Sequence, residues 1–238
     1  MDLKIKDVAD LLNVSETTIR RWLVDGKIPA YRMSNQYRFS RIEIENWMMR
    51  CKLKPSDAGF PFAEDQIYPP AQEQQESSQR GGMQQFSLYR AIHKGGVLTQ
   101  VAGETKEQLI RGAMKLVAPK LGLDADVLSE LLLDREKLMP TALNHGIAVP
   151  HTRDLLQGPF DQIVVVFPYE PIEYGALDGK PVHTLFFLFS SADKRHLHLL
   201  AKLAHLSSNQ EALEFLQARP PRDKLLEYIR DWEAKLKS

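Results

Sequence analysis

The chain has 238 residues, 43% hydrophobic and 26% charged, with 31 basic side chains balancing 31 acidic ones, as in a globular protein of one large or two small domains. Its longest apolar runs, Ile163–Phe167 and Leu185–Phe189, fall far short of the roughly 18 residues that cross a bilayer, and no apolar leader follows Met1-Asp2-Leu3-Lys4. One cysteine, Cys51, permits neither an intrachain disulfide nor a cysteine-cluster metal site, so the expected home is the cytoplasm, without membrane insertion.

The neutral total hides an uneven chain. Residues 1–54 carry eleven Lys/Arg against seven Asp/Glu, an excess of four positive charges that suits a polyanionic partner. Ile5, Val8, Leu11 and Leu12 fall on one face of a short helix. Asn13-Val14-Ser15 makes a turn, and Ser15 caps a second helix from Glu16 whose inward stripe is Ile19, Trp22 and Leu23. Thr17, Arg20 and Arg21 face outward, and Gly26 sits where a helix end favours left-handed backbone. The pattern then predicts a hairpin: Ile28–Met33, a turn at Ser34-Asn35-Gln36, and Tyr37-Arg38-Phe39. Ser40 with Glu43 forms a capping box for a third helix with core side Ile42, Ile44, Trp47 and Met48.

Helix, turn, helix, wing and helix within about 50 residues is a DNA-binding arrangement, with a protein-docking adaptor as the other reading. Arg32, Arg38 and Arg41 around the wing join Thr17, Arg20 and Arg21 as candidate contacts, since guanidinium groups suit phosphates and guanine edges. Lys6-Asp7-Val8-Ala9, Ile19-Arg20-Arg21-Trp22, Gly26-Lys27-Ile28-Pro29, Tyr37-Arg38-Phe39 and Ile44-Glu45-Asn46-Trp47 resemble the excisionase-like (MerR-type) winged helix-turn-helix domains. The resemblance implies that the second helix enters the major groove of double-stranded DNA and that the wing touches the adjacent backbone. The wing tip here is less basic than in many relatives.

Residues 55–85 change character, with four prolines, seven glutamines, Ser77-Ser78 and Gly81-Gly82, and read as a flexible linker. Phe60, Phe62, Ile67 and Tyr68 are its apolar exceptions, suited to docking on a neighbour. The expected domains are therefore 1–54, the linker, and 86–238.

In the last segment Thr105 and Gln108 form a capping box that opens a helix whose apolar positions include Leu109, Ile110, Ala113, Leu116 and Val117. Asp124 caps another, carrying Val127, Leu128, Leu131 and Leu132. Ile163–Phe167 and Val182–Phe189 read as strands buried on both faces, followed by helices over 194–206, Glu211–Gln217 and Asp223–Lys235. The expected architecture is multidomain: a small, mainly α winged helix-turn-helix plus an α/β sandwich with a mixed central sheet flanked by helices.

Chemistry concentrates in Asn144-His145-Gly146-Ile147-Ala148-Val149-Pro150-His151-Thr152-Arg153. A glycine bend, a short apolar strand and a proline present one imidazole rigidly, which suits nucleophilic or acid–base work, although a lone histidine also serves as a structural residue. His196 and His198, two apart on a helix, lie on different faces, so only one can turn toward His151. A zinc site from His145, His151, His183 and His196 lacks an HExxH pair and a cysteine or carboxylate partner, so no metal is expected. No phosphate-cradling GxxxxGK[ST] string is present, and no cofactor is expected. His93 and His205 carry no distinguishing context.

Leu133-Asp134-Arg135-Glu136-Lys137, Gly146–His151 and Arg195-His196-Leu197 resemble the type-2 enzyme IIA domains of the sugar phosphotransferase system, in their nitrogen-regulatory branch, which lacks a membrane permease. The resemblance covers roughly residues 86–235. It implies phosphorylation of His151 by a small histidine phosphocarrier protein, with His196 as the second active-site histidine, Arg135 as a nearby charge stabiliser and Thr141 as a hydroxyl hydrogen-bonding the phosphoryl group. Met139-Pro140 and Asn144-His145 depart from the family pattern and bear on the donor-docking surface.

The leading expectation is thus a regulator of transcription that combines DNA binding with a histidine phosphoacceptor, a phosphohistidine carrier rather than an enzyme turning over small substrates. Two-fold operators would favour a homodimer. The alternatives are a phosphocarrier whose winged helix is a docking adaptor, and a ligand-sensing repressor that has lost phosphotransfer. The presence of both His151 and His196 argues against the last.

Overall fold

A computed structural model describes residues 2–12, 14–33, 36–51, 87–152 and 161–235. Ser34 and Asn35 of the expected turn, the 55–85 segment with Phe60, Phe62, Ile67 and Tyr68, and Arg153 lie outside the described residues. The chain divides into two compact units, Met1–Gln85 and Phe86–Ser238.

In the first unit, helix α1 (Ile5–Leu12) buries Val8, Ala9, Leu11 and Leu12. The Ser15 side chain accepts a hydrogen bond from the Thr18 N–H (3.1 Å) and starts helix α2 (Glu16–Val24), a cap worth about 1 kcal/mol. Ile19 and Trp22 are buried, and the chain leaves the helix through Gly26 at φ +65°, with the Lys27 N–H donating to the Trp22 carbonyl (2.8 Å). Three antiparallel strands follow the order β1-β3-β2: β1 (Asp2–Leu3), β2 (Tyr31–Met33) and β3 (Gln36–Ser40). The first hairpin strand is shorter than expected. Pro29 has no N–H to give a ladder, and the Ile28 side chain goes to the core instead. Gln36 pairs with Met33 and so belongs to β3, not to the turn. Strand β1 escapes a periodicity reading because two residues carry no period. Helix α3 (Arg41–Cys51) buries Ile44 and Met48, and its Trp47 donates Nε1–H to the Lys27 carbonyl (2.5 Å) while tilting against Trp22 at 5.7 Å between ring centres.

The second unit has a mixed sheet of order β4-β6-β7-β5. Strand β4 (Val97–Val101) is parallel to β6 (Gln162–Pro168), β6 is antiparallel to β7 (Thr184–Phe189), and β7 is parallel to β5 (Ile147–Ala148). Strands β6 and β7 are buried along their whole length, as their unbroken apolar runs require. Around them stand α4 (Leu88–Gly95), α5 (Lys106–Leu121), α6 (Ala125–Leu138), α7 (Asp193–Leu206), α8 (Gln210–Gln217) and α9 (Arg222–Lys235). Val164, Val166, Leu185, Phe187 and Phe189 meet Leu109, Ile110, Met114, Leu128 and Leu132 of α5 and α6 in one core. Helix α4 and strand β4 were not expected: β4 is a half-exposed edge strand with little pattern, whereas α4 was overlooked although Ser87 caps it and Leu88, Ala91 and Ile92 keep helical spacing. Leu116 and Val127, two of the apolar positions read on these helices, are exposed. The buried stripe of α5 runs through Leu109, Ile110, Ala113, Met114 and Val117, and Leu116 falls just outside it. Among the described residues, no helix is long and apolar enough to cross a membrane.

One buried carboxylate joins three helices of this unit. Glu233 on α9 accepts from Ser87 Oγ (2.7 Å), the N–H groups of Leu88 (2.7 Å) and Tyr89 (3.0 Å) at the start of α4, and Lys202 Nζ (2.7 Å) on α7. Burial pushes its pKa up, but the Lys202 bond and charge, with the N–H groups and the Ser87 hydroxyl, outweigh that and hold it below the ordinary value. Such a carboxylate stabilises the fold fully above the unfolded-chain pKa of about 4.3, and the contribution is lost as pH falls through its lower folded value. Glu233→Gln is therefore expected to cost about 1–3 kcal/mol at pH 7 in urea denaturation. Its deficit against the parent should shrink as pH falls below about 4, where the unfolded parent takes up the proton, and close once pH passes the lower folded value.

Candidate functional site

Gly146, at φ +77°, follows His145, itself left-handed at φ +66°, and turns the chain into β5. A side chain at Gly146 would place its first carbon 2.4 Å from Cδ2 of His183 and 3.0 Å from the Pro181 carbonyl oxygen. His183 packs there with Nδ1 2.8 Å from Thr184 Oγ1, and its backbone N–H donates to the Gly146 carbonyl (2.8 Å). Burial lowers the His183 pKa against the opposing pull of the His145 carbonyl, and the Arg219 charge adds to the fall, so it is a neutral packing histidine at pH 7.

The next residues are gripped from two sides. Strand β7 pairs with Ile147 and Ala148, and the Leu188 N–H donates to the Pro150 carbonyl (2.9 Å) beside a bridge between His151 and Leu188. On the other side Ala142 bridges Ala148, the Leu143 N–H donates to the Ile147 carbonyl (2.7 Å), and the Val149 N–H donates to the Thr141 carbonyl (3.0 Å). His151 emerges from this segment with Nδ1 2.8 Å from the Val149 carbonyl oxygen. A carbonyl only accepts, so Nδ1 carries the proton, and the lone pair of the neutral imidazole is on Nε2.

His196 meets it edge-on, with ring centres 5.1 Å apart and planes at 63°. It lies in the first turn of α7, which follows β7 after a short bend, and its N–H donates to the Ala192 carbonyl (2.9 Å). Asp161, just before β6, holds that bend. Its carboxylate accepts from Ser190 Oγ (3.0 Å) and the Ser191 N–H (3.5 Å) and pairs with the Arg195 guanidinium. Ala192 offers no side-chain cap at the start of α7.

Arg135 and Thr141 lie at the end of α6. The Arg135 guanidinium is buried and donates to the Met139 carbonyl (2.9 Å). Thr141 sits two residues beyond Met139, and in this unphosphorylated state its hydroxyl is engaged by an acid. A hydroxyl has one proton, and Thr141 gives it to the Glu136 carboxylate, which also accepts the Thr141 N–H (3.1 Å). Lys106 Nζ lies 3.4 Å from the same carboxylate and 5.0 Å from the centre of the Tyr174 ring. Burial, then the Glu136 charge, pushes the Tyr174 phenol well above its ordinary pKa. Glu136 stands in the Leu133–Lys137 string but was given no role from the sequence, and Asp161 was not singled out, because spacing alone does not show which residues five to thirty-four positions away an acid will serve.

In the first unit Thr17, Arg20 and Arg21 are exposed on one face of α2, with Arg20 3.6 Å from Glu16 in a surface pair of little energetic weight. On the wing the Arg32 guanidinium lies 5.5 Å from the centre of the Tyr37 ring, and Arg38 donates to the Tyr37 carbonyl (3.1 Å) and Gln36 Oε1 (2.7 Å). Arg41 donates to Glu45 Oε1 (2.8 Å) one turn along α3, so its charge is balanced within the helix. Tyr31, Met33 and Tyr37 are also exposed on the hairpin.

Two family models match the chain. One, described as the phosphoenolpyruvate-dependent sugar phosphotransferase system, EIIA 2, covers residues 90–232, and the other, a helix-turn-helix domain, covers residues 3–52. A nitrogen regulatory protein of Pseudomonas aeruginosa is 33% identical over 148 residues, which are 60% of this chain and 95% of the relative. One from Escherichia coli is 32% identical over 155 residues, 62% of this chain and 92% of the relative. A transcriptional repressor of Methylorubrum extorquens is 50% identical over 44 residues, 18% of this chain and 17% of the repressor. Among solved structures, the nitrogen regulatory protein IIA-Ntr from Neisseria meningitidis aligns with a TM-score of 0.51 and 29% identity over 56% of this chain and 91% of its own.

Gly146→Ala tests the geometry ahead of the histidine. The added methyl group meets the His183 ring in a backbone conformation that alanine resists. The expected loss is about 1–3 kcal/mol for overpacking alone, measured by urea denaturation. His183→Ala in the same chain should relieve part of it.

Proposed function

Because the chain belongs to the EIIA 2 family of the sugar phosphotransferase system and carries a helix-turn-helix domain, we propose that it is a regulator of transcription that binds double-stranded DNA through its first unit and accepts a phosphoryl group on His151 of its second. The observation that carries the second half is the fixed tautomer of His151 beside the His196 ring. A small phosphohistidine carrier protein is the proposed donor. Nε2 of His151 attacks the phosphorus of the donor's phosphohistidine, the new N–P bond forms as the donor's N–P bond breaks, and the donor imidazole leaves with the electron pair. His151 keeps its Nδ1 proton on the Val149 carbonyl throughout. Bond types on the two sides match, so catalysis reduces to positioning and to holding charge on the three phosphoryl oxygens. His196 donates an N–H to those oxygens, and Arg135 supplies the guanidinium charge. No metal is needed to generate the nucleophile, since a neutral imidazole is already competent near pH 7.

The DNA-binding half rests on the exposed Thr17, Arg20 and Arg21 face of α2 and on Arg32 and Arg38 of the wing, with Arg41 a lesser contributor because Glu45 balances it. Residues 55–85 serve as the tether, and a two-fold operator would be met by a homodimer. The relatives named nitrogen regulatory proteins favour a regulatory role over sugar transport for this chain.

His151→Ala should abolish acid-labile phosphate uptake from a phosphohistidine carrier, followed by intact-protein mass spectrometry. Full labelling of that variant would move the acceptor elsewhere. His196→Ala should still accept phosphate, but more slowly. Binding to duplex DNA should weaken steeply with salt, and Arg21→Ala should cost about 1–3 kcal/mol on a preferred site and less on random duplex. Salt-insensitive or absent DNA binding would instead point to a protein-docking adaptor.

A further inference from the structure

We propose that Glu136 is a positioning residue for His151, acting through Thr141 and Val149 to keep the ring in its Nδ1–H tautomer. The inference rests on the reading of His151 as the phosphoacceptor, but its structural content can be tested without any phosphate.

An unbroken series of hydrogen bonds links the two side chains. The Glu136 carboxylate holds Thr141 at its hydroxyl and at its N–H (3.1 Å). The carbonyl of the same threonine accepts the Val149 N–H (3.0 Å), and the Val149 carbonyl accepts Nδ1–H of His151 (2.8 Å). Each bond fixes an amide plane or a ring. Thr141 heads the short segment that flanks β5 on the side away from β7. An edge segment of three residues has little cooperative support of its own, so what pins its first residue decides how firmly it holds the next strand.

The carboxylate is suited to that task. It lies within the fold, where an acid must be paired and hydrogen-bonded to remain charged, and the Lys106 ammonium (3.4 Å) provides the pairing. As an ion it accepts from both Thr141 donors at once. A neutral side chain of the same size would face one of them with a second donor. Glu136 touches no reacting atom. What it fixes is which nitrogen of His151 presents a lone pair, and where that nitrogen points.

The test uses the full chain, with the His151 ring read by nitrogen-15 NMR at neutral pH. The parent should show Nδ1–H and an unprotonated Nε2. Glu136→Gln, whose introduced amide opposes one Thr141 donor, and Thr141→Val, isosteric but without a hydroxyl, should each populate the other tautomer. Both should also slow phosphate uptake from a phosphohistidine carrier by roughly 10-fold or more, the scale of a small misplacement of the nucleophile. Thr141→Ser keeps the hydroxyl and should restore the parental ring. Glu233→Gln, destabilised elsewhere in the same unit, should leave the tautomer unchanged, which separates positioning from general loss of stability. If Glu136→Gln does not fold, the two threonine variants decide. A parental tautomer and uptake rate in Thr141→Val, or a shifted ring in Glu233→Gln, would overturn the proposal. A ring that shifts as expected in these variants, with a parent that takes up no phosphate, would leave the positioning role standing and remove the phosphoacceptor.

Discussion

A carbonyl oxygen can accept a proton but not supply one, and the 2.8 Å contact between Val149 and Nδ1 of His151 turns that rule into a chemical choice. With Nδ1 committed, only Nε2 has a lone pair to offer in the neutral ring. Pro150 between the two residues has no N–H and restricts the backbone, which helps the Val149 carbonyl meet the side chain two positions on. The edge-on His196 ring, the bend after β7 and the two-sided grip on residues 147–151 all serve the placement of that one nitrogen.

The same device recurs at three junctions of the second unit. Glu136 takes the Thr141 N–H and the Lys106 ammonium, Asp161 takes the Ser191 N–H and the Arg195 guanidinium, and Glu233 takes the Leu88 and Tyr89 N–H groups and the Lys202 ammonium. Each is an acid at or near the interior that is costly to shield from water unless charge and lone pairs are both answered. Each receives backbone donors that would otherwise lack partners at the start of a helix or an edge segment. Apolar packing supplies most of the favourable free energy of the sheet and its helices but has no direction. These carboxylates supply direction where the chain changes course, and two of the three changes lie beside the histidine pair.

The first unit solves a similar problem with aromatic rings. Trp22 on α2 tilts against Trp47 on α3, and Trp47 is held by the Lys27 carbonyl just past the α2 end. Rotation of α2 about its own axis is thereby restrained, and Thr17, Arg20 and Arg21 are left together on the opposite, exposed face. Arg32 over the Tyr37 ring and Arg38 on Gln36 likewise restrict two cations that would otherwise sweep a large volume. Both units thus order polar side chains by anchoring their surroundings.

Much of this was legible in the residues themselves. Helical spacing and a serine cap place α1 and α2, unbroken apolar runs place β6 and β7, and the Gly146–His151 string marks the histidine, because each is a local pattern whose cause lies within a few residues. Elements too short or too half-exposed to carry a period, β1 and β4, were not legible, and neither was the orientation of Leu116 and Val127, which depends on how α5 and α6 pack. The meeting of His151 with His196 was decided by tertiary structure alone, while the tautomer of His151 and the capture of the Thr141 hydroxyl by Glu136, though made between residues two and five apart, still needed the backbone course that folding sets. Sequence determines which groups can donate, accept or ionise, but a hydrogen bond exists only where folding brings donor and acceptor within about 3 Å in the right orientation.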